Sequence, residues 1–131
     1  MSIREKVLSL LGSEGEDAEV VKDVLRVLAV FHGVLWESEL LQDILKVREY
    51  QVPYVPTPDK LRKAIDKLEK EGIVTVEERT RGLALSPSTY KDRLIRLVKP
   101  LEVKAALYQD PIYARAVATR AYALKKALKG K

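Results

Sequence analysis

The sequence predicts a mainly α-helical protein with a small β-hairpin and a C-terminal helical segment. Three observations predict it. Apolar residues recur at helical spacing through most of the chain, as in Leu61, Ala64, Ile65 and Leu68. Residues 73–78 break that period: they are β-branched, alternate weakly, and run into a glycine-containing turn. Thr57-Pro58, Ser86-Pro87 and Asp110-Pro111 each read as a capping side chain followed by proline in the first helical turn.

Composition bounds the answer. The chain has 131 residues, 47% of them hydrophobic, enough for one compact core. No apolar run reaches the ~18 residues of a membrane span, and the first residues carry no long apolar stretch or small-residue cleavage site, so an intracellular, cytoplasmic protein is expected. Cysteine and asparagine are absent, methionine occurs once, and 33% of residues are charged, a balance that fits a thermophile. Net charge is +5 and unevenly placed: residues 1–57 sum to −4 and residues 58–131 to +9. A basic half points to a polyanionic partner; the alternative is a basic protein that scatters its lysines.

From the N-terminus, residues 2–11 form a first helix with Ile3, Val7, Leu10 and Leu11 on one face, stopped by Gly12. Ser13 and Glu16 have capping-box spacing, and the acidic run Glu14, Glu16, Asp17 and Glu19 suits a helix N-terminus better than a metal. A second helix over 15–31 has a wide apolar face and ends at Gly33. Residues 34–36 are β-prone, a candidate third strand beside the later hairpin. Residues 37–47 form a helix with Leu40, Leu41, Ile44 and Leu45 inward. Prolines 53, 56 and 58 make 48–58 a loop, and its Tyr50 and Tyr54 either pack on the core or approach a bound backbone. A basic amphipathic helix runs over 58–71 to Gly72. A strand, an arginine-bearing turn at 79–82, a short return at 83–85 and a long helical tail follow. Leu94, Leu97, Val98, Leu101, Ala105 and Tyr108 form a heptad-like stripe in that tail, kinked at Pro100. An alanine-rich helix from 111 to about 128 completes it.

This order resembles the winged helix-turn-helix family. The likeness rests on residues 33–40 (GVLWESEL), on Leu61-x-x-Ala64-Ile65-x-x-Leu68-Glu69-x-Glu71-Gly72-Ile73-Val74, and on Leu85-Ser86-Pro87, together covering residues 17–99. MarR-like and PadR-like regulators of this family append dimerisation helices. The turn between the two central helices here is longer and richer in proline than the family's tight turn. The resemblance implies residues 1–99 as a winged-helix domain and 100–131 as an extension. It implies double-stranded DNA as partner, with helix 58–71 in the major groove and the wing on the minor groove or backbone.

The candidate DNA-binding residues are Lys60, Arg62, Lys63, Lys67 and Lys70 on the helix and Arg79 and Arg81 on the turn. With the apolar face inward, Asp59, Lys63, Asp66, Lys67 and Lys70 lie on the outer arc, and Asp66 either accepts from a cytosine amine or pairs with a neighbouring cation. Replacing both arginines is expected to weaken DNA binding without lowering thermal stability. Candidate dimerisation residues are Leu94, Leu97, Leu101, Tyr108, Ile112, Val117 and Leu124; the alternative is a monomer whose tail folds back on helix 2–11. After Asp110 the tail carries Arg115, Arg120, Lys125, Lys126, Lys129 and Lys131 and no acid. An enzyme is the poorest reading. There is one histidine, no cysteine, no glycine-rich phosphate loop and no HExxH, and no base lies near a serine. No cofactor or metal is expected, and no residue identifies a small-molecule effector. The readings are a dimeric transcriptional regulator, an architectural or chromatin protein, and a protein-interaction module in a transcription or replication complex.

Overall fold

The computed structural model describes residues 1–129, which are mainly helical around a small three-stranded antiparallel sheet. The order is α1 (Ile3–Leu11), α2 (Glu16–Val30), β1 (Val34–Trp36), a 3₁₀ turn (Glu37–Glu39), α3 (Leu40–Val47), α4 (Pro58–Lys70), β2 (Val74–Gly82), β3 (Thr89–Leu97), α5 (Pro100–Leu107) and α6 (Pro111–Lys129). No described helix is long and apolar enough to cross a membrane.

Helix α2 is the axis of the fold. Every residue from Val20 to Val30 is buried, because α1, α3, α4, α5 and α6 surround it. It leaves through His32 (φ 67) and Gly33 (φ 84), both left-handed. Glycine at 33 is called for by that left-handed turn; a Cβ there would meet Pro100 only at an ordinary contact distance of 3.5 Å. The strands follow at once. β3 is central in the order β1-β3-β2, with Leu35 opposite Ile95 and Val76 opposite the same Ile95. That row faces the helices. The next row, Trp36, Leu94 and Glu77, faces away from them.

Helix α4 forms where its local signals agree. Thr57 caps it by accepting from the Lys60 amide at 3.3 Å, Pro58 opens it, and Leu61, Ala64, Ile65 and Leu68 are buried. Gly72, at φ 76, turns the chain into β2. The third strand at 34–36 is present, and Tyr54 packs inward while Tyr50 is exposed.

Several local expectations are corrected. The capping box lies at Ser2 and Glu5; Ser13 instead donates to the Ser9 carbonyl, and Gly15 opens α2 with no side-chain cap. Leu41 is exposed on α3, and Val47 takes the inward place. Residues 79–82 are strand rather than turn. The turn is 83–88, closed by Leu83 N–H to the Ser88 carbonyl at 3.2 Å and by the Ser88 amide on Ser86 Oγ at 3.1 Å. Ser86-Pro87 therefore starts no helix: both signals serve turns as readily as helix caps. Leu94 and Leu97 belong to β3, not to a helix, and both are buried within the chain, Leu97 in the core and Leu94 on the outer face of the sheet. Pro100 kinks nothing, since it opens α5. The core continues past residue 99: Val103, Ala106 and Leu107 of α5 are fully buried, and α5 lies against α1 and α2.

Candidate nucleic-acid interface

The outer ridge of α4 is Asp59, Lys63, Asp66 and Lys70, all exposed and alternating in sign. Its flanks are tied to neighbours. On the α2 side Lys60 pairs with Glu16, and Lys63 reaches Asp17 at 3.5 Å. The acidic N-terminal run of α2 is thus the strip against which the lysines of α4 rest. On the sheet side Arg62 donates to Glu37 at 2.6 Å. Arg93 of β3 meets the same carboxylate at 2.7 Å and Asp66 at 3.6 Å. Glu37, Arg62, Glu78, Lys91, Asp92 and Arg93 line a polar cleft between α4 and the hairpin. Of the five α4 cations singled out from sequence, Lys67 and Lys70 have no acidic partner among the described residues.

The two hairpin arginines separate. Arg79 is half exposed and, among the described residues, pairs only with Glu77 at 3.0 Å. Arg81 is held on the outer face of the sheet. Its guanidinium lies 4.3 Å from the Trp36 ring centroid and 5.7 Å from that of Tyr90, donates to Asp92 at 3.0 Å, and reaches Glu39 at 3.6 Å. Asp92 also accepts from the Ser38 hydroxyl at 2.6 Å and the Ser38 amide at 3.3 Å. Burial would raise its pKa, and the hydrogen bonds from Ser38 and Arg81 outweigh this and hold it below the usual range. Arg81 therefore fixes the hairpin to the turn before α3. These contacts replace the expectation that both arginines can be removed without loss of stability by a different one for each. Arg81→Ala is expected to lower the melting temperature, because Asp92 loses a partner and Trp36 its cover, while Arg79→Ala is expected to leave it unaltered. Calorimetry of the two single variants checks this; equal melting temperatures would remove the latch.

Sequence reasoning missed a buried ionic cluster behind this surface. Asp23, with no exposed surface, accepts from Arg26 at 2.8 Å, from Arg48 at 2.9 Å and from the Tyr54 hydroxyl at 2.7 Å. Arg26 continues to both oxygens of Asp110, at 2.7 and 2.9 Å. Asp110 also accepts from the Tyr113 amide at 2.9 Å, as the N-cap of α6. Arg48 reaches Glu19 at 2.7 Å. Burial, then the charge of Asp23, pushes the Tyr54 hydroxyl upward, so it stays a neutral donor. The one local signal was Asp110-Pro111; nothing in the sequence paired Asp110 with Arg26.

The proposed dimerisation residues scatter. Leu97 is in the core, Ile112 packs against it, and Leu94 is buried on the outer face of the sheet. Leu101 is exposed on α5, Tyr108 just after it, and Val117 and Leu124 on α6. Tyr113 buries the first turn of α6, and Arg120 lies 4.9 Å over the Phe31 ring. From residue 121 to 129 every side chain is exposed, with Ala121, Leu124 and Leu128 continuing the line of Val117 at spacings of four, three and four. Of the tail cations, Arg115 stands 3.7 Å from Glu49; Lys131 lies outside the described residues. Comparison with known proteins found no matching family model and no matching curated protein.

Proposed function

We propose that this chain is a cytoplasmic winged-helix protein that binds double-stranded DNA as a homodimer in transcription regulation, with α4 directed into the major groove and the β2–β3 hairpin along the minor groove or backbone. The observation that carries the reading is the order α2-β1-α3-α4-β2-β3 with β1 on the far edge of the sheet. That order leaves an amphipathic helix and a long hairpin side by side on one surface, the two elements such a module presents to DNA. The exposed stripe Val117, Ala121, Leu124 and Leu128 suits a second copy's α6.

A second reading, architectural DNA binding without sequence choice, is favoured by one observation. The single arginine on α4, Arg62, is engaged by Glu37, and the outer ridge alternates in charge. No free arginine fork faces outward from α4 to read guanine, so lysine–phosphate contacts dominate. A titration of full-length protein on random duplex and on its own promoter, at several salt concentrations, tests both. Binding is expected at low salt. Lys67→Ala and Lys70→Ala should each flatten the log–log salt slope by about 0.9. A preference for the promoter supports the regulator, equal affinity the architectural role, and no binding at low salt overturns both. Light scattering tests the dimer: the full chain should be dimeric and a chain ending at Arg120 monomeric. A monomeric full chain at micromolar concentration overturns it.

A further inference from the structure

We propose that the tip of the β2–β3 hairpin is an apolar wedge that enters the minor groove, parts a base step and bends the duplex. The inference rests on the DNA-binding reading above and adds the mode of contact. The tip is not the pair of arginines that the sequence suggested but residues 83–88, Leu-Ala-Leu-Ser-Pro-Ser, every one of them exposed. Leu85 is the extreme case. It is 108% exposed relative to a reference residue and sits at φ 61, in the left-handed region. A leucine there gains no burial and bears a backbone cost that glycine or asparagine would avoid. Nothing in the packing of the chain accounts for it. Leu83, 47% exposed, and Pro87 stand beside it.

The hairpin has the reach and the charge for this occupant. Its strands pair from Val74–Leu97 outward to Gly82–Thr89. The apolar pairs on the helix side end at Val76–Ile95, and Arg81 and Asp92 hold the strands against Trp36 and Ser38, so Gly82, Thr89 and the turn between them are the part that projects. From Gly82 to Leu85, at up to about 3.3 Å per residue, is roughly 10 Å, more than the ~7.5 Å depth of the minor groove. On the shaft of the hairpin, Arg79 and Lys91 flank the tip in exposed pairs with Glu77 at 3.0 Å and Glu78 at 3.3 Å. Exposed pairs of this kind are weak, so both cations can turn to phosphates, whose potential is strongly negative in a narrow minor groove. Leucine and proline are among the side chains that wedge between base steps. Arg81, stacked on Trp36 and bound to Asp92, fixes the direction of the shaft, so little order has to be gained on insertion.

The test uses full-length protein and a doubly end-labelled duplex of about 25 base pairs with a central, easily unstacked TA step. Anisotropy reports binding and energy transfer reports the end-to-end distance. The parent is expected to raise energy transfer on binding, to an extent consistent with a bend of roughly 20–90°. Leu85→Ser should bind within about threefold of the parent, since phosphate contacts carry most of the affinity, and should lose most of the bend. Leu85→Phe should retain it. All three should melt alike, because the side chain touches no core. Parent binding with no change in end-to-end distance, or bending by Leu85→Ser equal to the parent's, overturns the wedge and leaves duplex binding standing; the tip would then serve a protein partner. Failure of the parent to bind duplex at low salt overturns the wedge together with the reading it rests on.

Discussion

Replacing Asp23 by alanine is expected to destabilise the protein by about 3–5 kcal/mol, the range for removing one partner from a buried charge cluster. Asp23 ties α2 to the 48–57 loop: it accepts from Arg26 of its own helix and from Arg48 and Tyr54 of the loop. Alanine leaves a buried hydroxyl without its acceptor and leaves Arg26 with Asp110 and, at 3.8 Å, Glu19. At roughly 3–5 °C per kcal/mol for a chain of this size, the melting temperature should fall by about 10–20 °C. Asp23→Asn is the sharper variant. It keeps the volume and can still accept from Tyr54, but removes the charge that two arginines face. Thermal melts of both variants check the prediction; a loss below 1 kcal/mol for alanine would show the cluster to be ornamental. The same cluster makes the fold acid-sensitive. Burial would raise the carboxyl groups of Asp110 and Glu19, yet the hydrogen bonds from Arg26 to Asp110 and from Lys22 and Arg48 to Glu19 hold both below the usual carboxylate range. A carboxylate with a depressed folded-state pKa contributes its stability in full above the unfolded value of about 4 and loses it as pH falls through the folded one. Stability should therefore be flat from about pH 7 to 5 and decline steeply below 4.

The helices were legible where several local signals coincided. Thr57-Pro58, the spacing of Leu61, Ala64, Ile65 and Leu68, and Gly72 all specify one helix over one span, and α4 has those bounds and that buried face. Its outer face followed from the inner one by geometry alone. The hairpin was misread because its central strand is buried on both sides near the base: Leu94 faces one way, Ile95 the other, and Leu97 is again buried. Such a strand loses the period of two, and Leu94, Leu97 and Leu101 then fall by accident on a helical stripe. The arginine-bearing stretch 79–82 looked like the turn, yet β2 runs four residues further, to Gly82, and the turn is built largely from leucine, serine and proline. The ionic cluster was illegible for another reason. Arg26 and Asp110 are 84 positions apart, Asp23 and Tyr54 31, and Asp23 and Arg48 25. No local pattern encodes such pairs; only the packing of α3 and α6 on α2 brings them together. The same limit applies at the candidate interface. The sequence places lysines on the exposed side of α4, but the pairing of Lys60 with Glu16 and of Arg62 with Glu37 comes from elements docked beside it.

A chain ending at Lys99 is expected not to fold, although it contains every element of the winged-helix resemblance. Residues 100–107 form the helix that covers α1 and one side of α2, where Val103, Ala106 and Leu107 have no exposed surface. Burying a valine or leucine side chain is worth about 1.5–3 kcal/mol, and the faces of α1 and α2 that the truncation uncovers add to the loss. Asp110 goes with the removed segment. Arg26, only 3% exposed, would then keep Asp23 but lose the carboxylate that holds its Nε and Nη2, a further penalty of about 3–5 kcal/mol. Together these reach the whole 5–15 kcal/mol by which an ordinary domain is stable. Two milder changes separate this cause from a general intolerance of truncation. Leu107→Ala in the full chain should cost about 2–5 kcal/mol as a core truncation, and a chain ending at Arg120, which keeps α5, Asp110 and Tyr113, should melt cooperatively near the parent. Far-ultraviolet circular dichroism through a thermal ramp distinguishes the cases. A cooperative, parent-like melt of the chain ending at Lys99 would make α5 and α6 an appendage; its absence, with the longer chain intact, makes α5 and the Asp110 cap part of the fold that presents α4 and the hairpin.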